Sequence, residues 1–168
     1  MKREEKRGSS GCKVDFKILK SAVETAVNFF TQQCPDINPE GKTGAVLLFE
    51  DPRGVEYIDT VGTLADGASC LLAHITSAKM KTTQLRQHIT HITSFQSTTS
   101  ENGIDATGIN LFCNGKVALS GLPELACEAC LMYGLAMCDL VTDKFITRAL
   151  AVSQNVSLYK RIHKGLQT

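Results

Sequence analysis

Cys127-Glu128-Ala129-Cys130 gathers the most reactive side chains of the sequence into four residues. Two thiols at this spacing share a helix face, and such a pair serves redox exchange or zinc binding when a helix N-terminus or a second ligand pair supports it. No second Cys/His pair follows at finger spacing, and the motif lies within an apolar run, so the two thiols read first as small core residues. Chemistry at Cys127 or Cys130 is the weakest of three functional readings. His88 and His91 would face one metal from a helix, but the Thr, Ile and Ser around them favour extended or irregular chain. In extended chain the two rings point apart. His74, beside Leu71 and Ile75, suits a hydrogen-bonded structural histidine or a ligand group. Lys79 and Lys81 flank Met80 on different helical faces. Glu124, just after Pro123, fits a functional acid or a favourable charge at a helix start. Ser120 lies in Leu119-Ser120-Gly121, which lacks the G-x-S-x-G of a nucleophile elbow, and no glycine-rich phosphate loop occurs. Local motifs therefore point away from catalysis.

The elements that must position these residues alternate between two periods. Ile18, Leu19, Ala22, Val23, Ala26, Val27 and Phe30 recur at three-to-four spacing and predict a helix from Asp15, its cap, to Gln33. Pro35, Pro39 and Gly41 mark a loop. The apolar run Ala45 to Phe49, the turn Asp51-Pro52-Arg53-Gly54 and the alternating Val55 to Thr63 predict a β-hairpin. Leu71, Leu72, Ile75, Ala78 and Leu85 place a second helix over Ala68 to about Gln87. A second hairpin follows, Ile109 to Cys113 with Lys116 to Ser120, joined by Asn114-Gly115 with both turn residues at positive φ. Pro123 opens an apolar helix reaching about Leu140, and two shorter helices are expected at 142–151 and 156–163.

With 168 residues the chain suits one domain with its own core, and we expect a disordered tail over 1–13, a single α+β domain over 14–168 and a helical extension within it from 141. The formal charge of +1 provides no field for a phosphate backbone, so no nucleic-acid partner is expected. No apolar run approaches the roughly 20 residues of a membrane span, and no apolar core follows Lys2 to Arg7 as in a signal peptide. Seven cysteines, an odd number, spread through apolar segments predict reduced thiols and a cytoplasmic location.

Several stretches resemble the GlcG/HbpS family of small heme-binding or heme-degrading-like proteins. Phe49-Glu50-Asp51-Pro52-Arg53-Gly54 is similar to that family's strand ending in an Asp-x-x-Gly type turn. Asp66-Gly67-Ala68 followed by Ala78-Lys79 resembles its entry into a helix bearing an Ala-Lys step. Gly115-Lys116-Val117 leading to Leu119-Ser120-Gly121, with Glu124 and Ala126 beyond, resembles the strand and Ser-Gly turn before its final helix. Ser94 to Gly108 stands where the family has a Gly/Pro-rich loop, and the extension from Val141 has no family counterpart. The resemblance implies a profilin-like α/β (α+β) fold, a homo-oligomer and a noncatalytic small-ligand binding protein, with heme or another tetrapyrrole as ligand. It also implies that the ligand is held by His74 as an axial or hydrogen-bonding group and by Lys79 as a carboxylate partner, with Glu124 as a further candidate. The alternative is a protein–protein interaction module of the same fold that presents a sheet edge or a helix face and takes no small molecule.

Overall fold

The computed structural model describes residues 13–64, 67–96 and 106–168. Apart from Lys13, the expected tail lies outside them, as does Asp66 of the helix entry.

Helix α1, Phe16–Gln33, begins where predicted, because the Asp15 carboxylate accepts hydrogen bonds from the backbone N–H groups of Lys17 and Ile18. It buries Leu19, Val23, Ala26, Val27 and Phe30, five of the seven residues its periodicity selected, while Ile18 is exposed and Ala22 half-buried. Strands β1, Gly44–Glu50, and β2, Glu56–Gly62, form the first hairpin. Helix α2 spans Gly67–Gln87. Strands β3, Ala106–Asn110, and β4, Lys116–Ser120, form the second hairpin. The two hairpins join through β1 and β4 into one antiparallel sheet of order β2-β1-β4-β3. Helices α3, Glu124–Met137, α4, Asp143–Ser153, and α5, Val156–Gly165, complete the α+β fold.

Both hairpins close in the same way. The Asp51 N–H donates to the Val55 carbonyl and the Leu111 N–H to the Gly115 carbonyl, enclosing three residues each. The last enclosed residue, Gly54 at φ 84° or Asn114 at φ 65°, is left-handed, as such loops require. This differs from the two-residue Asn-Gly turn expected in the second hairpin. Strand β3 ends at Asn110, three residues before the expected Cys113, so Gly115 pairs within the ladder and Asn114 alone takes positive φ. The segment after α2 is irregular: a turn at 88–90, a single bridge from Thr93 to Ile109, and a short helical turn at Ser94–Gln96.

The sheet is covered on both faces. Ala45, Leu47, Phe49, Val117, Leu119 and Ile109 join α1 and α3 in the main core. Leu48 and Ala118 meet Ala78 of α2 on the opposite face. Helix α2 lies close over β3, where a Cβ on Gly108 would stand 2.9 Å from Leu85 and 3.1 Å from the Lys81 Cβ. Helix α3 is buried from Ala126 to Leu135 on every side, so it is a middle layer rather than an amphipathic cover. At Gly134 a Cβ would collide with Val23, so α1 and α3 touch almost backbone to backbone. The extension docks on its own chain: Phe145, Ile146, Ala149, Leu150, Leu158 and Ile162 all belong to the main core.

Candidate functional site

The three residues singled out as ligand groups occupy different places. His74 Nδ1 lies 3.1 Å from Ser120 Oγ, tying α2 to the end of β4. Lys79 Nζ lies 2.7 Å from Glu56 Oε2 on β2. Glu124 Oε1 is 3.4 Å from the ammonium of Lys81, a largely buried lysine, while the Glu124 carbonyl accepts from the Thr107 hydroxyl at 3.0 Å. Lys79 and Lys81 do fall on different faces, and Lys81 is the one that reaches Glu124. Each of these polar groups closes a helix onto the sheet.

The thiols of the Cys-x-x-Cys are both fully buried, and the Cys127 Sγ donates to the Leu122 carbonyl at 3.3 Å. Burial pushes the Cys130 thiol well above its ordinary value, which disfavours the thiolate that redox or metal chemistry requires. His88 and His91 lie in irregular rather than extended chain, and their rings do not diverge. The His91 N–H donates to the His88 carbonyl at 2.9 Å, and this turn stacks the imidazoles 4.9 Å apart and nearly parallel. Parallel stacking leaves the ring nitrogens unaimed at a shared point. Among the described residues no group of three or more His, Cys, Asp and Glu is placed to hold a metal ion.

A cleft lies elsewhere, between the start of α1 and the loop end of the first hairpin. It measures about 1000 Å³ and is lined by residues 13–17 on one wall and by Phe49, Asp51, Pro52, Arg53 and Tyr57 on the other. Its surface is mainly apolar. The Tyr57 ring sits at its centre, with the rings of Phe49 and Phe16 each 5.9 Å away and the Phe49 ring nearly parallel to it. The alternation of β1 and β2 produces this arrangement. Phe49 and Tyr57 are direct cross-strand partners on the face that α1 covers, and Phe16 is the first residue of that helix.

Against the aromatic floor stands a charged rim. Arg53 is held from the side: its Nε and Nη2 donate to Asp51 Oδ2 at 3.0 and 2.8 Å. The other Asp51 oxygen accepts from the backbone N–H groups of Arg53 and Val55. These donors hold the Asp51 carboxyl below the usual carboxylate range, the Arg53 guanidinium foremost. No family model, curated protein or solved structure matches the chain. The geometry of the cleft therefore stands as the ground for a functional reading. Sequence reasoning saw Asp51 to Gly54 only as a turn and Phe16, Phe49 and Tyr57 as separate element residues. The usable signal was the aromatic pair that the hairpin register sets side by side.

No described helix is long and apolar enough to cross a membrane.

Proposed function

We propose that the chain is a noncatalytic binding protein for a flat, largely apolar small molecule, seated in the cleft between α1 and the first hairpin. The observation that carries this reading is the cleft itself: its volume of about 1000 Å³ matches a small-ligand pocket, its floor is three aromatic rings, and its few polar groups stand at the rim. A tetrapyrrole, the class implied by the GlcG/HbpS resemblance, is the most specific candidate, since a broad conjugated ring gains from stacking against Tyr57 and its neighbours. On this reading the binding groups are those of α1 and the hairpin, and His74, Lys79 and Glu124 act as struts of the fold.

The alternative of an interaction module built on a sheet edge has less support, because the chain occupies part of each edge with its own groups. The Gly108 N–H donates to Ser94 Oγ and the Asn110 N–H to the Ile92 carbonyl, which closes β3. On β2 the outward N–H groups of Thr60 and Gly62 donate to the carboxylates of Asp59 and Glu24.

Hemin titration followed at the Soret band tests the proposal. A saturable shift is expected, weakened at least about tenfold by Tyr57→Ala, since stacking on an aromatic side chain contributes on the order of 1 kcal/mol or more beyond area burial. A flat Soret region overturns the tetrapyrrole assignment, and a Tyr57→Ala protein that titrates like its parent overturns the cleft.

A further inference from the structure

We infer that the cleft selects ligands bearing an acid group, a carboxylate or phosphate on a short arm of the flat body, and that Arg53 is the group that reads it. The inference rests on the cleft as the binding site and adds which chemistry its rim recognises. Three cations, Lys13, Lys17 and Arg53, border the cleft, against two carboxylates, Asp15 and Asp51. Both carboxylates are already engaged. Asp15 caps α1, and Asp51 accepts four hydrogen bonds that close the hairpin loop and hold Arg53. The charged groups that border the cleft sum to a net +1, and neither carboxylate is free to turn toward a ligand.

Arg53 joins two properties that rarely coincide in an arginine. Its side chain is 78% exposed, yet its guanidinium is fixed side-on by two hydrogen bonds to a single oxygen. Nη1 takes no part in that contact. A guanidinium held in advance loses little freedom when it forms a charge-assisted, forked contact with an acid group. Arg53 and Tyr57 border the same cleft, so the cation shares the site with the central ring of the floor. A flat ligand lying on Tyr57 would thus bring an acid on a short arm to Arg53. Lys13 and Lys17 supply longer-range attraction from the opposite wall.

A matched pair of probes tests this: 1-pyrenebutyrate and its neutral counterpart 1-pyrenebutanol, titrated by pyrene fluorescence into the full chain at low and at physiological salt. The expected result is at least about tenfold tighter binding of the acid, a preference that shrinks as salt rises. In Arg53→Met the preference falls to near unity, and Arg53→Lys restores only part of it, because an ammonium keeps the charge but not the fork. Equal affinity of the two probes for the parent protein overturns the acid selectivity while leaving the cleft standing. A preference that survives Arg53→Met removes Arg53 from the role. Binding of neither probe overturns this inference together with the cleft. The parent protein's ratio and its salt dependence decide the question even where a variant misfolds.

Discussion

Glu128 lies between the two cysteines of the Cys-x-x-Cys and is fully buried. Its Oε2 accepts from the Ser153 hydroxyl and from Asn155 Nδ2, the latter at 2.9 Å, whereas Oε1 has no hydrogen-bond partner among the described residues. Burial pushes this carboxyl above its ordinary value, and its hydrogen bonds, with a lesser contribution from Thr93, only partly offset that. Between the ordinary and the raised value the folded state holds more protons than the unfolded one, so stability falls as pH rises through that window and stays reduced above it. Glu128→Gln removes the charge while keeping an acceptor for Ser153 and Asn155, and its amide would face Thr93. We expect this variant to raise the thermal midpoint by roughly 2–4 °C at pH 7, the shift that about 1 kcal/mol produces in a domain of this size. The gain should vanish when the scan is repeated well below the ordinary carboxylate value. A midpoint that moves equally at both pH values would refute the account. Nothing near Glu128 in the sequence announces this role, because its partners stand 25 and 27 residues further on. The aromatic floor of the cleft was hidden for a similar reason: Phe16 meets Tyr57 only after α1 packs on the hairpin.

Among the elements, β2 shows how an edge strand is kept from pairing. Closing pairs at Thr43 with Thr63 and Asp51 with Val55 fix the alternation, so the backbone groups of Glu56, Ile58, Thr60 and Gly62 turn outward. Glu24 and Asp59 occupy two of those N–H groups, and Lys20 steadies Asp59 from α1 at 2.7 Å. Lys20 also holds the Asp59 carboxyl below its usual range, so the cap persists into mildly acidic solution. Replacing both capping carboxylates, Glu24→Ala with Asp59→Ala, should leave a bare strand edge of the kind that templates association. Sedimentation velocity over a concentration series should show the double variant forming species larger than the parent's, and superimposable profiles would count against the cap. Elements were the most legible level of this chain. Cores of helices and strands follow from periodicity alone, as α1 shows, whereas β3 was placed three residues late because Leu111, Phe112 and Cys113 continue the apolar pattern into the hairpin loop. The stacked His88 and His91 show the same limit, since composition left extended and irregular chain both open and a backbone hydrogen bond decides for a turn.

At the scale of the whole molecule, α3 organises the fold, packed between the sheet and the last two helices and flanked by α1. The extension from 141 looked like an appendage in sequence because α4 and α5 are separately amphipathic. The clue to its docking was already in the apolar helix read after Pro123, since α3 has no polar side for water to meet and needs a cover. Removing residues 143–168 strips six buried apolar side chains from the core, a loss on the order of 10 kcal/mol at about 1.5–3 kcal/mol each, comparable to the entire stability of an ordinary domain. The truncated chain should therefore show no cooperative thermal transition by circular dichroism, and a sharp transition within a few degrees of the parent's would overturn the layered description. The buried middle helix also bears on synthesis. A growing chain that has emerged from the ribosome only as far as Leu140 carries an oily helix with one flank bare, because the residues that cover it, in α4 and α5, are made after it. Closure of this core must then await synthesis of α5, and until that point the nascent chain exposes apolar surface of the kind chaperones bind.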